Sequence, residues 1–356
     1  MKKTEKRDNR YSLLIEKNGS LCYNNREEGD TVKLLLSGYG EQDSLRLYDT
    51  NGKTLWSDTV LSPSFFVTYD SFLFVCSETD DGAAVLSYVK DNDGYRLVSH
   101  VPVFGTSLCH LCYVPSQKRL YGACWGSGHL IWLSVEENGT LSSFSALLQT
   151  DEQTEKKSRT HFCLVNQAEN LLLTCNIGLD RLFLYTLMQD GLSENATIVM
   201  PDGCGPRHAV FSSDESKLYV VTENSNEVFL YDTASWTLQQ RIGMTTKPMG
   251  ESFCSAICLT KDNKFLYVAN RGADTVSVCC LNEEGQIVSV TEVPLNGRFP
   301  RHMVLSQDEQ TLLVALQHSD SVCLYPIRED RFPQEKPVQT IEHFGAACLL
   351  DVSKEG

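Results

Sequence analysis

Apolar residues in this chain gather in short runs separated by polar turn clusters, and the runs carry strand-like rather than helical spacing. Lys217-Leu218-Tyr219-Val220-Val221-Thr222-Glu223-Asn224 and Phe265-Leu266-Tyr267-Val268-Ala269-Asn270-Arg271-Gly272 are two such runs, rich in β-branched and aromatic residues. Each leads to another strand about six residues later, Glu227–Tyr231 and Thr275–Cys279. Each also follows a strand that ends in a turn. Ala209–Phe211 precedes Ser213-Asp214-Glu215, and Ile257–Leu259 precedes Lys261-Asp262-Asn263. The pattern predicts a unit of strand, polar turn, strand, loop, strand, turn, strand.

The unit repeats. With Tyr219 and Tyr267 as the anchor position, the equivalents elsewhere are Leu35, Phe74, Tyr121, Leu173 and Leu313. Successive spacings are about 39, 47, 52, 46, 48 and 46 residues, which suits a four-stranded propeller blade and neither a helical repeat nor a Rossmann fold. Turn clusters such as Thr50-Asn51-Gly52, Asp91-Asn92-Asp93-Gly94 and Glu283-Glu284-Gly285 recur on schedule and provide residues that tolerate positive φ. Asp214, Asp262 and Asp308 are read as turn residues.

The ends of the chain set the closure. The N-terminal group, Val32–Ser37, Ser44–Tyr48 and Thr54–Ser57, lacks a first strand, whereas Gly345–Val352 is a strand without a blade. Pairing them completes the ring and removes the open edges of a linear array. The fold class is therefore all-β: a seven-bladed β-propeller of four-stranded antiparallel blades, closed by the C-terminal strand on the N-terminal blade. Residues 31–356 form this domain, and residues 1–30 are an extension for which the pattern predicts no structure.

The register also predicts a site. In an antiparallel hairpin the start of the first strand lies beside the end of the second, at one rim. Twelve residues before the anchors stand Ser62, Cys109, His161, Arg207, Ser255 and Arg301; four residues after them stand Tyr39, Glu78, Trp125, Ile177, Glu223, Arg271 and Gln317. Polar groups beside aromatic walls are what a small-molecule site needs. The arginines suit a carboxylate or phosphate through charge-assisted, often bidentate hydrogen bonds. His208 and His302 are read as hydrogen-bonding neighbouring blade backbone, and Glu78 and Trp125 as either rim lining or packing between blades.

Charge narrows the ligand. Lys+Arg is 31 against Asp+Glu 46, a formal net charge of −15, which argues against nucleic acid and anionic membrane surfaces as partners. An anionic small molecule would need a local arginine cluster, which the rim supplies. No apolar run approaches the roughly 18 residues of a membrane span, and the apolar stretch Leu13–Ile15 is too short for a signal peptide. A cytoplasmic location is the expectation. The 14 cysteines lack a compact spacing, and the single C-x-x-C, Cys109 to Cys112, falls on a strand where its members face opposite ways. Reduced thiols, no metal site and no cofactor are expected.

Asn176-Ile177-Gly178-Leu179-Asp180-Arg181, Gly205-Pro206-Arg207-His208, Leu266-Tyr267-Val268-Ala269-Asn270-Arg271-Gly272 and Arg298-Phe299-Pro300-Arg301-His302 carry a resemblance. Across roughly residues 33–352 the sequence resembles the seven-bladed lactonase family, which includes propeller-type 6-phosphogluconolactonase and carboxy-muconate cycloisomerase. The resemblance implies a histidine, two arginines and a glutamate as catalytic residues, and these fall on His161, Arg207, Arg271 and Glu223. Arg301, Glu78, Trp125, Tyr39 and Gln317 would complete a substrate-binding rim. The chain departs from the family pattern in three places. Asn176 stands for an aspartate, Arg159 for a histidine and Ala256 for a glutamate, and each change is expected to remove a carboxylate or imidazole from near the site.

Hydrolysis of an anionic sugar lactone such as 6-phosphogluconolactone is the expected activity. Arg207 and Arg271 would hold the anion and the developing oxyanion, with Glu223 or His161 as general base. Muconate-type cycloisomerisation is the rival chemistry, and a non-catalytic metabolite- or protein-binding propeller is the alternative from another class.

Overall fold

The computed structural model describes residues 32–353. They form 28 strands in seven four-stranded antiparallel sheets, together with two single-turn 3-10 segments, Pro115–Gln117 and Gln317–Ser319. The expected extension at residues 1–30 lies outside the described residues. Blade one contains Lys33–Gly38, Leu45–Asp49 and Lys53–Asp58, and its fourth strand is the C-terminal Ala346–Asp351. The closing pair runs antiparallel from Leu34↔Asp351 to Gly38↔Ala346. The remaining blades follow in chain order, each a simple meander.

The middle of every blade explains the apolar runs. The second strands, among them Lys217–Thr222, Leu171–Asn176 and Thr311–Leu316, are buried at every residue after their first. Such a strand has sheet neighbours on both sides and a packed blade against each face, so both faces must be apolar. Burying each large side chain contributes about 1.5–3 kcal/mol. All seven anchor residues are buried. Tyr219 and Tyr267 keep their hydroxyls satisfied by donating to the Gly285 and Arg331 carbonyls of the following blade, each at 2.7 Å. The fourth strands, such as Leu141–Leu148, are the outer edges of the blades and are mostly exposed or half-buried.

One local irregularity shapes the channel. Thr160 pairs with Asn176 and Phe162 with Cys175, leaving His161 as an extra residue. The same bulge isolates Cys109, Arg207 and Arg301 at the first-strand starts of blades three, five and seven. In blade six the register slips between Cys254 and Ile257, across Ser255 and Ala256. A bulge breaks the period-two alternation and re-aims its side chains. Blade two differs from the sequence-derived register. Phe66 pairs with Val75, so Ser64 rather than Ser62 occupies the equivalent position, and Ser62 turns there with a positive φ of 48°.

Candidate functional site

The bulged residues and the second-strand ends meet at one mouth of the channel. Backbone bonds fix that rim. Glu223 N donates to Gly205 O at 2.7 Å, Gln317 N to Phe299 O at 3.0 Å, and Trp125 N to Ser107 O at 2.9 Å. Recurring turn residues lock each rim to the next blade. Asp180, Asn226, Asp274 and Asp320 all adopt the left-handed conformation, with φ between 48° and 57°. Their side-chain oxygens accept backbone N–H groups from Gly205, Cys254, Phe299 and Gly345, at 2.7, 3.0, 2.7 and 2.8 Å respectively. Asp and Asn suit both demands, since they tolerate positive φ and offer a short acceptor.

On blades five and six, Glu223 is a bridge. Its Oε2 accepts from Arg207 Nε at 2.9 Å and from Arg271 Nη2 at 2.7 Å. Both guanidiniums are further tied to blade six. Arg207 Nη1 donates to Ser255 O at 2.8 Å, and Arg271 donates to Phe253 O and Cys254 O. The Phe299 ring lies 5.2 Å from the Arg271 guanidinium carbon. Burial and the Arg271 charge push Arg207 down to about 9, which leaves it a cation at neutral pH. Burial alone would raise the Glu223 carboxyl, but Arg271 and Arg207 hold it below its ordinary range.

His161, on blade four, is 7% exposed, and its Nδ1 is buried with no hydrogen-bond partner among the described residues. Burial and the neighbouring Arg207, Arg301, His110 and Arg271 charges hold it well below the ordinary imidazole value, so it is neutral at pH 7. Its ring centre lies 5.3 Å from that of His208, the residue after Arg207.

A second cluster spans blades seven, one and two. Glu78 Oε2 accepts from Tyr39 Oη at 2.8 Å and from Arg301 Nη2 at 3.3 Å. Arg301 Nη1 lies 3.4 Å from Gln317 Oε1, and its guanidinium carbon is 5.2 Å from the Tyr39 ring centre. Trp125 is placed differently. The residue is 37% exposed, with the Arg159 guanidinium 4.2 Å from its ring centre, and Arg159 also bonds the Gly126 carbonyl at 3.0 Å.

Beneath the rim, the residue after each bulge forms a second inward layer that the sequence reading missed. His110 lies between the tilted rings of Phe65 at 4.1 Å and Phe162 at 4.2 Å, and Phe162 stacks on His208 at 4.7 Å. Phe65 of blade two reaches His302 of blade seven, and His110 of blade three reaches His208 of blade five, so this layer converges on the axis. His302 Nδ1 accepts from Leu349 N of blade one at 3.4 Å, the neighbouring-blade bond expected for it; His208 instead lies against Phe162 and His161.

The three positions that depart from the family pattern have different surroundings. Asn176 is fully buried inside blade four. Its Oδ1 accepts from Arg159 N and Leu179 N, and its Nδ2 donates to Ser158, Thr160 and Gln149. Ala256 belongs to the apolar cluster with Tyr267, Ala269 and Met303. Arg159 covers Trp125. The expectation that each change costs the site a charged group is corrected for Asn176: that position sits in a satisfied backbone-fixing network.

Three comparisons bear on this geometry. The family model described as Lactonase, 7-bladed beta-propeller matches residues 45–348. A 6-phosphogluconolactonase of Bacillus subtilis is 27% identical over 278 residues, which cover 74% of this chain and 80% of that protein. Among solved structures, the periplasmic gluconolactonase of Pseudomonas aeruginosa superposes with a TM-score of 0.83 at 21% identity, covering 90% of this chain and 98% of that one. A protein from Lactobacillus plantarum gives 0.80 at 21% identity over 90% and 98%. At these identities the solved structures speak to the fold.

Proposed function

Because the chain belongs to the lactonase family of seven-bladed β-propellers, we propose that it hydrolyses an anionic sugar lactone, 6-phosphogluconolactone being the first substrate to test. One observation carries the reading: the Glu223 bridge holds two guanidiniums at the mouth that also carries a neutral His161, whose Nδ1 has no partner among the described residues. The Bacillus subtilis relative named 6-phosphogluconolactonase supports the choice of substrate.

The charges are matched to an anion. Arg207, Arg271 and Arg301 face Glu223 and Glu78, so the mouth holds one net positive charge inside an acidic protein. An incoming anion compensates it and also offsets the arginine repulsion that, after burial, holds the His161 imidazole down. The imidazole then becomes a better base at the moment substrate is bound. Glu223 is the weaker candidate for base, because two arginines stabilise its ionised form.

In this mechanism His161 takes a proton from water as the water oxygen attacks the lactone carbonyl carbon. The carbonyl oxygen becomes an oxyanion held by guanidinium N–H groups of Arg207 or Arg271. The ring C–O bond then breaks, and the imidazolium returns its proton to the departing alkoxide. The product is the open-chain hydroxy acid, which loses its acidic proton to solvent.

A reduced, cytoplasmic protein is part of the proposal. Thirteen cysteines among the described residues are free thiols, a pattern suited to a reducing compartment. The test is the initial rate of hydrolysis of fresh 6-phosphogluconolactone, corrected for its spontaneous rate. Acceleration that disappears in Arg271→Ala supports the reading, and a rate no faster than buffer overturns it.

A further inference from the structure

The two clusters at the mouth differ in charge, and that difference assigns them different jobs. Arg207 and Arg271 share one carboxylate, so their pair is left cationic. Arg301 faces Glu78 one to one, so the second cluster is neutral overall. Tyr39 and Gln317 add only uncharged polar groups. We infer that Tyr39, Glu78, Arg301 and Gln317 form a hydroxyl-reading subsite, which makes the preferred substrate polyhydroxylated along the carbon chain that extends from the reacting carbonyl. This rests on the proposal that the mouth binds a sugar lactone.

The groups are arranged for that task. Glu78 Oε2 is occupied by Tyr39 and Arg301, while its Oε1 has no partner among the described residues and remains an acceptor for a ligand O–H. Arg301 uses Nη1 and Nη2 on Gln317 and Glu78, leaving Nε as a donor. The Gln317 side-chain amide adds two more donor hydrogens with no partner among the described residues. A free acceptor beside free donors matches neighbouring hydroxyls, each of which gives one hydrogen bond and accepts another. A phosphate, which only accepts, would meet the Glu78 carboxylate. The carbonyl oxygen that becomes the oxyanion, and the carboxylate of the product, belong to the Arg207–Arg271 pair, and the hydroxyls to the other side.

The subsite is also held rigidly. Arg301 is the bulged residue of blade seven, Glu78 ends the second strand of blade two, and Tyr39 follows the closing strand pair of blade one. Three blades, joined at the ring closure, supply one hydrogen-bonding surface. Pre-positioned polar groups of this kind reject an analogue lacking the hydroxyls, because they would be desolvated and left unpaired.

The experiment compares two six-carbon monocarboxylates, D-gluconate and hexanoate, by calorimetric titration of the full chain at neutral pH. The wild-type protein is expected to bind gluconate at least about tenfold tighter than hexanoate. Tyr39→Phe is expected to lower that ratio several-fold with hexanoate unchanged. Glu78→Gln lowers it too, with hexanoate unchanged or tighter because Arg301 is unmasked. Arg271→Ala weakens both ligands. Equal binding of the two acids, no measurable gluconate binding, or a proportional loss of both in Tyr39→Phe would overturn the inference. Lactone hydrolysis is measured in parallel. Gluconate preference without turnover removes the hydrolytic reading while leaving the hydroxyl subsite in place.

Discussion

Glu223 Oε2 lies 2.7 Å from Arg271 Nη2, and the same oxygen lies 2.9 Å from Arg207 Nε. One carboxylate oxygen thus aligns two nearly buried guanidiniums on adjacent blades. Removing the charge while keeping the shape, as in Glu223→Gln, leaves both cations facing each other with no counter-ion. The expected loss of stability is about 2–4 kcal/mol, read from urea unfolding at neutral pH. Lactone hydrolysis is expected to fall about 100-fold or more, since the donors that meet the oxyanion lose their alignment. Wild-type rates in Glu223→Gln would mean that the bridge is only structural.

Asp180 acts one step further back. Its carboxylate accepts from Gly203 N at 2.9 Å and Gly205 N at 2.7 Å, and it pairs with Lys156 at 2.6 Å. Gly205 in turn holds Glu223 N and precedes Arg207 by two residues. Asp180→Ala therefore frees the loop that sets both residues. About 1–3 kcal/mol of stability should be lost, and kcat should fall about tenfold at temperatures where the variant is fully folded. Asp180→Asn keeps one acceptor oxygen and is expected to rescue part of the rate. Full activity in the folded Asp180→Ala protein would confine this residue to stability.

The blades, their anchors and the ring closure were legible because they follow from burial. A strand packed on both faces must be apolar throughout, and the repeat length counts the blades. The rim positions were legible from register alone: Arg271 ends its second strand, and Glu223 and Gln317 come one residue after theirs, where the pattern put them. The bulges were not legible. One extra residue at His161 or Arg207 leaves no mark in composition, yet it turns two consecutive side chains inward and creates the layer of Phe65, His110, Phe162, His208 and His302. The same local geometry moved the blade-two position from Ser62 to Ser64. Asn176 was misread for a related reason. Nothing in its spacing tells a channel-facing side chain from one turned back onto its own hairpin.

Acid should unfold this protein early. Burial keeps His110, His161, His208 and His302 neutral, each below the ordinary histidine value, with His302 pushed down to about 3. The unfolded chain binds protons at these sites first, so stability is complete above the unfolded value near pH 6.5 and is lost as pH falls toward the folded values. At pH 5 His302 alone costs about 2 kcal/mol relative to pH 7.5. Urea midpoints measured from pH 8 to pH 5 should fall steeply below about pH 6.5, with proton uptake on unfolding. A flat profile across that range would show that these rings are hydrated or already charged in the folded state.

Restoring the family's aspartate offers the most direct check on what position 176 does. Asn176 Nδ2 is a donor to Ser158 Oγ at 2.8 Å, Thr160 Oγ1 at 3.2 Å and Gln149 Oε1 at 3.2 Å, while its Oδ1 already receives two backbone N–H groups. In Asn176→Asp the donor is replaced by an acceptor, and a charge enters a site with no solvent exposure. Ser158 and Thr160 can turn their hydroxyls toward it, but both now donate to Gly128 O and would give up those bonds. The balance is a cost of about 1–3 kcal/mol in stability. Because the side chain faces the hairpin and the Gln149 network rather than the arginines, hydrolysis by the folded variant should stay within about twofold of wild type. A rate gain well beyond twofold would place this residue's charge in the chemistry, and the mouth would then have to be redrawn to include it.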